Sequence, residues 1–306
     1  MKNYPAKLLL FGEHTVNLGS QALAMPLPFF SGKWATASQL SPSELATQQM
    51  QLPELADYLH QLQQRGELLA PIDLAAFQHA LSEGLVFESN IPTGYGAGSS
   101  GAIVAAIFDR FQAADVNWPN ELPTLKKALA QMESFFHGTS SGTDPLICYL
   151  QKTVLLGGAS SVEIVAPNDA LAEIPHTIFL LDTGIQRQAT PFIQYFLGKT
   201  QDDNFAALVR EELLPSVNAA IRAFLIGDSQ AVFDETASIG EFQFLFLEEM
   251  VPEAFRQIWQ LGLDGNLFKL KVCGAGGGGF LLGITSDFEA TAAALLDYKL
   301  LPVMAF

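Results

Sequence analysis

The stretch "LVFESNIPTGYGAGSSGAIVAAIFDRF", residues 85–111, constrains the fold of this chain more than any other. A strand-sized apolar run, "LVFES", leads into a loop with glycine at positions 94, 96 and 98, and two serines open a second apolar run. Ile103, Val104, Ile107 and Phe111 recur there with helical spacing. The pattern predicts a strand, a loop and then a helix from Ser99 to about Ala114. Glycine gives up about 0.5–1 kcal/mol of extra backbone entropy in ordered structure, so three in alternation need a compensating benefit. Two explanations are open. One is an anion held by converging amides at a helix start, where the dipole adds roughly half a positive charge. The other is a tight turn without a ligand. The spacing matches neither G-x-x-x-x-G-K-[ST] nor, in full, G-x-G-x-x-G.

The remaining chain surrounds this unit with both element types. A strand is expected at 7–12, a short helix at 53–64, and a helix from Glu121 to about Phe136 with Asn120 as its N-cap. "HGTSSGTDP" at 137–145 breaks that helix with small residues, two glycines and a proline. Strands follow at 153–157, 162–166 and 177–182, then helices at 203–226 with a kink at Pro215, at 229–250 and at 252–261. "LFKLKVCGAGGGGFLLGIT" reads as strand, glycine turn, strand, and Asp287 caps a helix over 287–296. The fold class is α+β. At 306 residues the chain is long enough for two domains, placed at 1–165 and 166–306.

Charge and composition narrow the function. With 32 acidic and 16 basic residues the net charge is −16, a surface that repels phosphate backbones and argues against nucleic-acid partners. No apolar stretch approaches the ~20 residues that span a membrane, and the apolar segment near the N-terminus is too short for a signal peptide. Cys148 and Cys273 form no disulfide framework or metal pattern, which suits a cytoplasmic protein. Before Arg65 the cations are Lys2, Lys7 and Lys33, so an anion would have to be held by amides, a helix end and a metal.

Several residues have two readings each. "CGAGGGGF" at 273–280 has more glycine than a hairpin needs, which implies close approach of its backbone to another loop or to a ligand. Glu133 and His137, four apart, are a surface pair or part of a site, and no third ligand at suitable spacing makes a zinc centre. Asp144 caps its glycine-serine turn or is a catalytic carboxylate. Taken singly, Lys7 reads as a surface lysine and His14 as a turn residue.

Together, these segments resemble the GHMP kinases. "AKLLLFGEHTV" at 6–16, "PTGYGAGSSGA" at 92–102 and "KVCGAGGGGF" at 271–280 occur in that family's order and span most of the chain. "ESFFHGTSSGTDP" at 133–145 is most similar to the mevalonate kinase branch. The resemblance implies a two-domain GHMP-kinase-like fold with its active site in the cleft between domains, and ATP and Mg2+ as cofactors. It implies that Pro92, Gly94, Gly96, Ala97, Gly98, Ser99, Ser100 and Gly101 wrap the ATP phosphates, with Ser100 and Glu133 on magnesium. Asp144 would act on the acceptor hydroxyl as general base or electrostatic positioner, with Lys7 beside it. Glu13, His14, Gly276 and Gly277 would line the acceptor pocket.

Phosphoryl transfer needs alignment and charge neutralisation more than covalent chemistry, which a cation-poor chain can supply in this way. The acceptor implied is mevalonate, with Arg187 as the cation for its carboxylate. The partners implied are this small molecule and ATP, with a homodimer as the only macromolecular association and neither nucleic acid nor membrane. Three departures stand out. Gly101 occupies a position where the family usually has alanine, Ala97 one where a larger apolar residue is common, and in "DTGIQRQATPF" Thr190 is displaced by a residue from the family's spacing after Arg187. The alternatives are a sugar acceptor, as in galactokinases, or a catalytically silent ligand-binding relative.

Overall fold

The apolar run after Tyr4 forms strand β1 (Tyr4–Phe11), buried along almost its whole length, as a run without alternation predicts. β2 (Ala22–Thr36) follows a short 3-10 turn at Thr15–Leu18. Then come α1 (Pro42–Gln64), α2 (Leu74–Ser82), β3 (Leu85–Ser89), α3 (Ser99–Phe111), α4 (Leu122–His137) and α5 (Thr143–Leu150). This computed structural model describes residues 2–37, 42–113, 121–157, 161–168 and 175–306, with backbone alone for 42–49. The expected N-cap Asn120 lies outside the described residues.

Two compact units interleave along the chain. The first comprises Met1–Lys7, Pro26–Pro92 and Ala97–Lys152, and the second Leu8–Met25, Thr93–Gly96 and Thr153–Phe306. In the first, β2 pairs antiparallel with β3 from Gly32↔Ser89 to Thr36↔Leu85. α3 packs on α4 and α5. Val104, Ile107 and Phe108 from α3 and Leu125, Leu129 and Met132 from α4 are all fully buried, the stripe that the 3.6-residue period predicts. α2 starts on Asp73, whose side chain accepts from Ala76 N at 2.9 Å.

α5 corrects the sequence expectation for 137–145. The chain does break, with Gly138 ending α4 and Gly142 left-handed at φ 73°, but a new helix begins at Thr143. Pro145 sits in its first turn, where its missing N–H leaves no intrahelical bond unmade. Asp144 is therefore a helix-start residue rather than a turn residue.

In the second unit, β4 (Val154–Gly157) pairs with the first residues of β2 and with β5 (Ser161–Ile164). β6 (Thr177–Asp182) precedes α6 (Ala189–Lys199), α7 (Asp203–Leu208), α8 (Leu214–Ile226), α9 (Ser229–Phe246) and α10 (Arg256–Asp264). β7 (Phe268–Val272), β8 (Phe280–Thr285), α11 (Phe288–Ala294) and β9 (Lys299–Ala305) complete the chain. β7, β8, β6 and β9 form an antiparallel sheet in that order. The kink expected at Pro215 takes the form of a π-helical turn at Val209–Leu213, so the helix is interrupted just ahead of the proline. α9 lies directly on β7 at Gly240, where any Cβ would collide with the Leu270 carbonyl.

Candidate active site

In the first unit, six expected site residues, Lys7, Ala97, Gly98, Ser99, Gly101 and Asp144, converge on the start of α3. Gly98 takes the left-handed conformation, φ 81°, immediately before Ser99 opens the helix. Ala97 O accepts from Lys7 N at 2.9 Å, which fastens the end of the loop to β1. Lys7 Nζ lies 3.0 Å from Asp144 Oδ1; the lysine side chain is 8% exposed and the aspartate 28%. A Cβ on Gly98 would sit 3.1 Å from Lys7 Cγ, and one on Gly101 would sit 2.8 Å from the Asp144 carbonyl carbon. The second distance explains the departure at position 101: α3 and α5 meet there too closely for alanine.

A carboxylate and hydroxyls form the next layer. Ser100 Oγ donates to Glu133 Oε1 at 2.9 Å, Ser140 Oγ donates to Oε2, and His137 Nε2 lies 3.0 Å from Ser100 Oγ. The i, i+4 pair Glu133 and His137 thus meets on one serine. Glu133 is 4% exposed. Burial, reinforced by the negative charge of Asp144, raises its pKa to about 7, against the two serine hydrogen bonds and Lys7. Such a carboxyl gains from a nearby cation. Among the described residues no group of three or more His, Cys, Asp or Glu could hold a metal. A hydroxyl, one carboxylate and substrate phosphates are nonetheless a set that suits Mg2+, which keeps few protein ligands. Ser100 and Glu133 fit that ion.

The second unit holds the other expected residues. Gly94 and Gly96 are left-handed at φ 80° and 69°, and Arg187 N donates to Gly94 O at 3.0 Å. A Cβ on Gly96 would come within 2.5 Å of Arg187 Nη2, and one on Gly274 within 3.0 Å of the same nitrogen. Arg187 therefore lies against both glycine-rich loops. Tyr95, between the two glycines, donates its hydroxyl to Asp182 Oδ1 at 3.0 Å and sets its ring edge-on to Phe280. Burial works against the charged form of Asp182, but bonds from Gly184 N, Lys299 and Tyr95 outweigh it and lower the pKa.

The excess glycine at 274–279 has a structural explanation. Gly277 N donates to Met250 O at 2.7 Å, a Cβ on Gly276 would meet Met250, and one on Gly277 would enter the Phe192 ring. Of the two alternatives open in sequence, close approach to other chain segments accounts for these positions. Glu13 pairs directly with Lys271. His14 has φ 67° and stacks on Phe196 with ring centroids 5.0 Å apart. Burial, with the positive charges of Arg187 and Lys271, lowers its pKa to about 4, so the imidazole is neutral near pH 7.

Sequence spacing does not point to Lys271, Tyr95 or Asp182. The one signal for Lys271 is a charged residue inside the otherwise apolar strand "FKLKV".

The glycine loop feeding α3 and the lysine–aspartate pair beside it in the first unit, and the glycine-rich hairpin in the second, are the features in which the chain resembles the GHMP kinases. Residues 61–152 match the family model for the GHMP kinases N terminal domain. The chain is similar to the mevalonate kinase of Archaeoglobus fulgidus, 24% identical over 92% of this chain and 90% of the relative. Its fold is similar to L. major mevalonate kinase in complex with R-mevalonate, with a TM-score of 0.63 at 17% identity over 97% and 90% of the two chains. Streptococcus pneumoniae phosphomevalonate kinase, in complex with phosphomevalonate and AMPPNP, gives a TM-score of 0.64 at 14% identity over 99% of both chains.

Proposed function

We propose that this protein transfers the γ-phosphate of ATP to a hydroxyl of mevalonate, with magnesium. The observation that carries the reading is the Lys7–Asp144 pair at 3.0 Å, set beside Gly98 and the start of α3. The similarity to mevalonate kinases over most of the chain supports the acceptor. The GHMP-kinase halves of this proposal are residues 1–165 and 166–306.

In the proposed mechanism the loop from Pro92 to Gly101 holds phosphate through its amides, with the dipole of α3 behind Ser99 and Ser100. Ser100 and Glu133 hold the magnesium ion, which neutralises phosphate charge when bound. Asp144, ion-paired with Lys7 but still partly exposed, accepts or positions the acceptor hydroxyl. Lys7 stabilises both Asp144 and the charge that develops during transfer. Arg187 takes the acceptor's carboxylate, and Glu13, His14, Gly276 and Gly277 shape its surroundings. His14 serves as a neutral hydrogen-bonding group, because its lowered pKa excludes the cationic form near pH 7.

A cytoplasmic location and, at most, self-association into a homodimer complete the proposal. Cys148 and Cys273 are buried and not disulfide-bonded, and among the described residues no helix is long and apolar enough to cross a membrane.

Release of ADP in a coupled assay tests the whole reading. Mevalonate, phosphomevalonate, homoserine, galactose and a heptose phosphate are compared with and without magnesium. The highest kcat/KM is expected for mevalonate. A preference for galactose would move the chain to another branch of the family, and no turnover with any acceptor would refute kinase activity on these compounds.

A further inference from the structure

Glu13 and Lys271 are separated by 258 positions in sequence, yet form an ion pair in which the side chains are 5% and 1% exposed. Lys271 Nζ also donates to Val272 O at 2.7 Å and lies 5.6 Å from the centroid of the Phe11 ring. A lysine this buried keeps its charge only with partners on every side. Here one carboxylate, one carbonyl and one aromatic face provide them.

The pair joins two segments that need fixing. Gly12 and His14 both have positive φ, 94° and 67°, and such a conformation at histidine persists only where its surroundings over-determine it. Glu13 lies between them. On the other side, Lys271 is the penultimate residue of β7, two residues before Cys273, where the glycine-rich loop begins. The buried His14 ring lies beside the Ala275 backbone, which partly offsets the effect of burial on its pKa. Two consecutive side chains of the turn thus face one strand–loop junction, and Glu13 ties it directly. Because the loop's Gly274 also touches Arg187, the position of that guanidinium depends on the same junction.

We propose that Lys271 is a positioning residue for the acceptor. It neutralises Glu13 within the protein and holds the Gly12–His14 turn against the 273–275 segment, and so fixes His14 and Arg187 relative to each other. The inference rests on the kinase reading above. It adds that a lysine with no access to solvent governs acceptor affinity without governing nucleotide affinity.

Lys271→Met, Lys271→Arg and the double variant Lys271→Met with Glu13→Gln test it. In Lys271→Met the KM for R-mevalonate is expected to rise roughly tenfold or more, while ATP affinity by calorimetry stays within about twofold of the parent. Lys271→Arg, which keeps the charge, should recover most of the loss. If the lone carboxylate left by Lys271→Met prevents folding, the double variant removes that charge and is expected to fold with the acceptor KM still raised. An acceptor KM near the parent's in a folded variant lacking Lys271, or an equal loss of ATP affinity, overturns the proposal. A parent protein inactive on every acceptor would instead overturn the kinase reading, so the two failures are distinguishable.

Discussion

Among the described residues, each compact unit carries a buried lysine paired with a carboxylate, and the exposure of the acid sets the two pairs apart. In the first unit Lys7 is buried but Asp144 remains 28% exposed at the start of α5. In the second, Lys271 and Glu13 are sealed, at 1% and 5%. A sealed pair spends its charges on each other and on nearby backbone, and the desolvation of both ions cancels much of their attraction. It fixes geometry and offers little to a ligand. An open pair keeps free lone pairs on its carboxylate while the lysine holds it in place. On the proposed reading, a lysine and a carboxylate supply chemistry in one unit and position in the other, and exposure of the acid decides which.

The sharpest way to break this contrast is to remove the open carboxylate's charge. Asp144→Asn keeps shape and leaves Lys7 beside an amide. Turnover is expected to fall by ~10²–10⁴-fold, the range for losing a positioned acid or base, with ATP affinity by calorimetry unchanged. Near-normal turnover would remove Asp144 from the mechanism and leave both pairs structural.

Arg187→Ala comes next in size. A buried acceptor carboxylate without its partner costs ~2–5 kcal/mol, so the KM for mevalonate should rise steeply. Because Arg187 also covers Gly96 and Gly274, this variant distinguishes two roles for the guanidinium. If ATP affinity falls as much as acceptor affinity, the residue acts as packing for the glycine loops and not as the acceptor's counter-ion.

A third acid, Glu133 in the first unit, lies between the two cases. Glu133 is as buried as Glu13, but its direct partners are serines rather than a lysine. Its pKa is raised from 4.5 to about 7, so the folded state binds the extra proton across that window and the unfolded state does not. Stability without magnesium should therefore fall as pH rises from about 4.5 through 7, and Glu133→Gln should flatten that slope. Thermal unfolding in EDTA over this range measures it. If Glu133 holds magnesium, half-maximal activity should need more of the ion as pH drops below about 7, and Ser100→Ala should raise the requirement at all pH values. A metal requirement unchanged in both variants would place the ion elsewhere.

How much of this was legible in the sequence depended on whether a signal was local. The strand at 177–182, the helix opened by Ser99 and the hairpin around 273–279 lie where apolar period and glycine punctuation place them. α5 was hidden because Gly138, Gly142, Ser140, Ser141 and Pro145 all read as breakers, although only the two glycines break the chain. β2 carries Pro26, Pro28 and Gly32, which mask a 15-residue strand from any propensity argument. The glycine loops and Asp144 stood out as short motifs. The partner of Glu13 did not, because a contact across 258 positions leaves no trace in local spacing. Nor did the sequence indicate that Arg187 would be the group lying against Gly96.

The smallest expected effect tests whether the second unit positions nucleotide as well as acceptor. Tyr95 stands between Gly94 and Gly96, and its hydroxyl reaches Asp182 at 3.0 Å, where Gly184 N and Lys299 also converge. Gly279 lies so close to the Tyr95 backbone that a Cβ would come within 2.7 Å of the carbonyl oxygen. The loop segment is thus anchored by a side-chain bond and by backbone packing at once. Tyr95→Phe removes only the bond, leaving the ring against Phe280. One such hydrogen bond is worth about 0.5–1.5 kcal/mol, so the KM for ATP should rise by a few-fold at most, with the KM for mevalonate unchanged. Asp182→Asn should do the same, since the amide retains an acceptor but loses the charge that binds Lys299. A rise in acceptor KM instead would mean that the Tyr95 anchor and the Lys271 tie act on one rigid junction, and the division of labour within the second unit would fail.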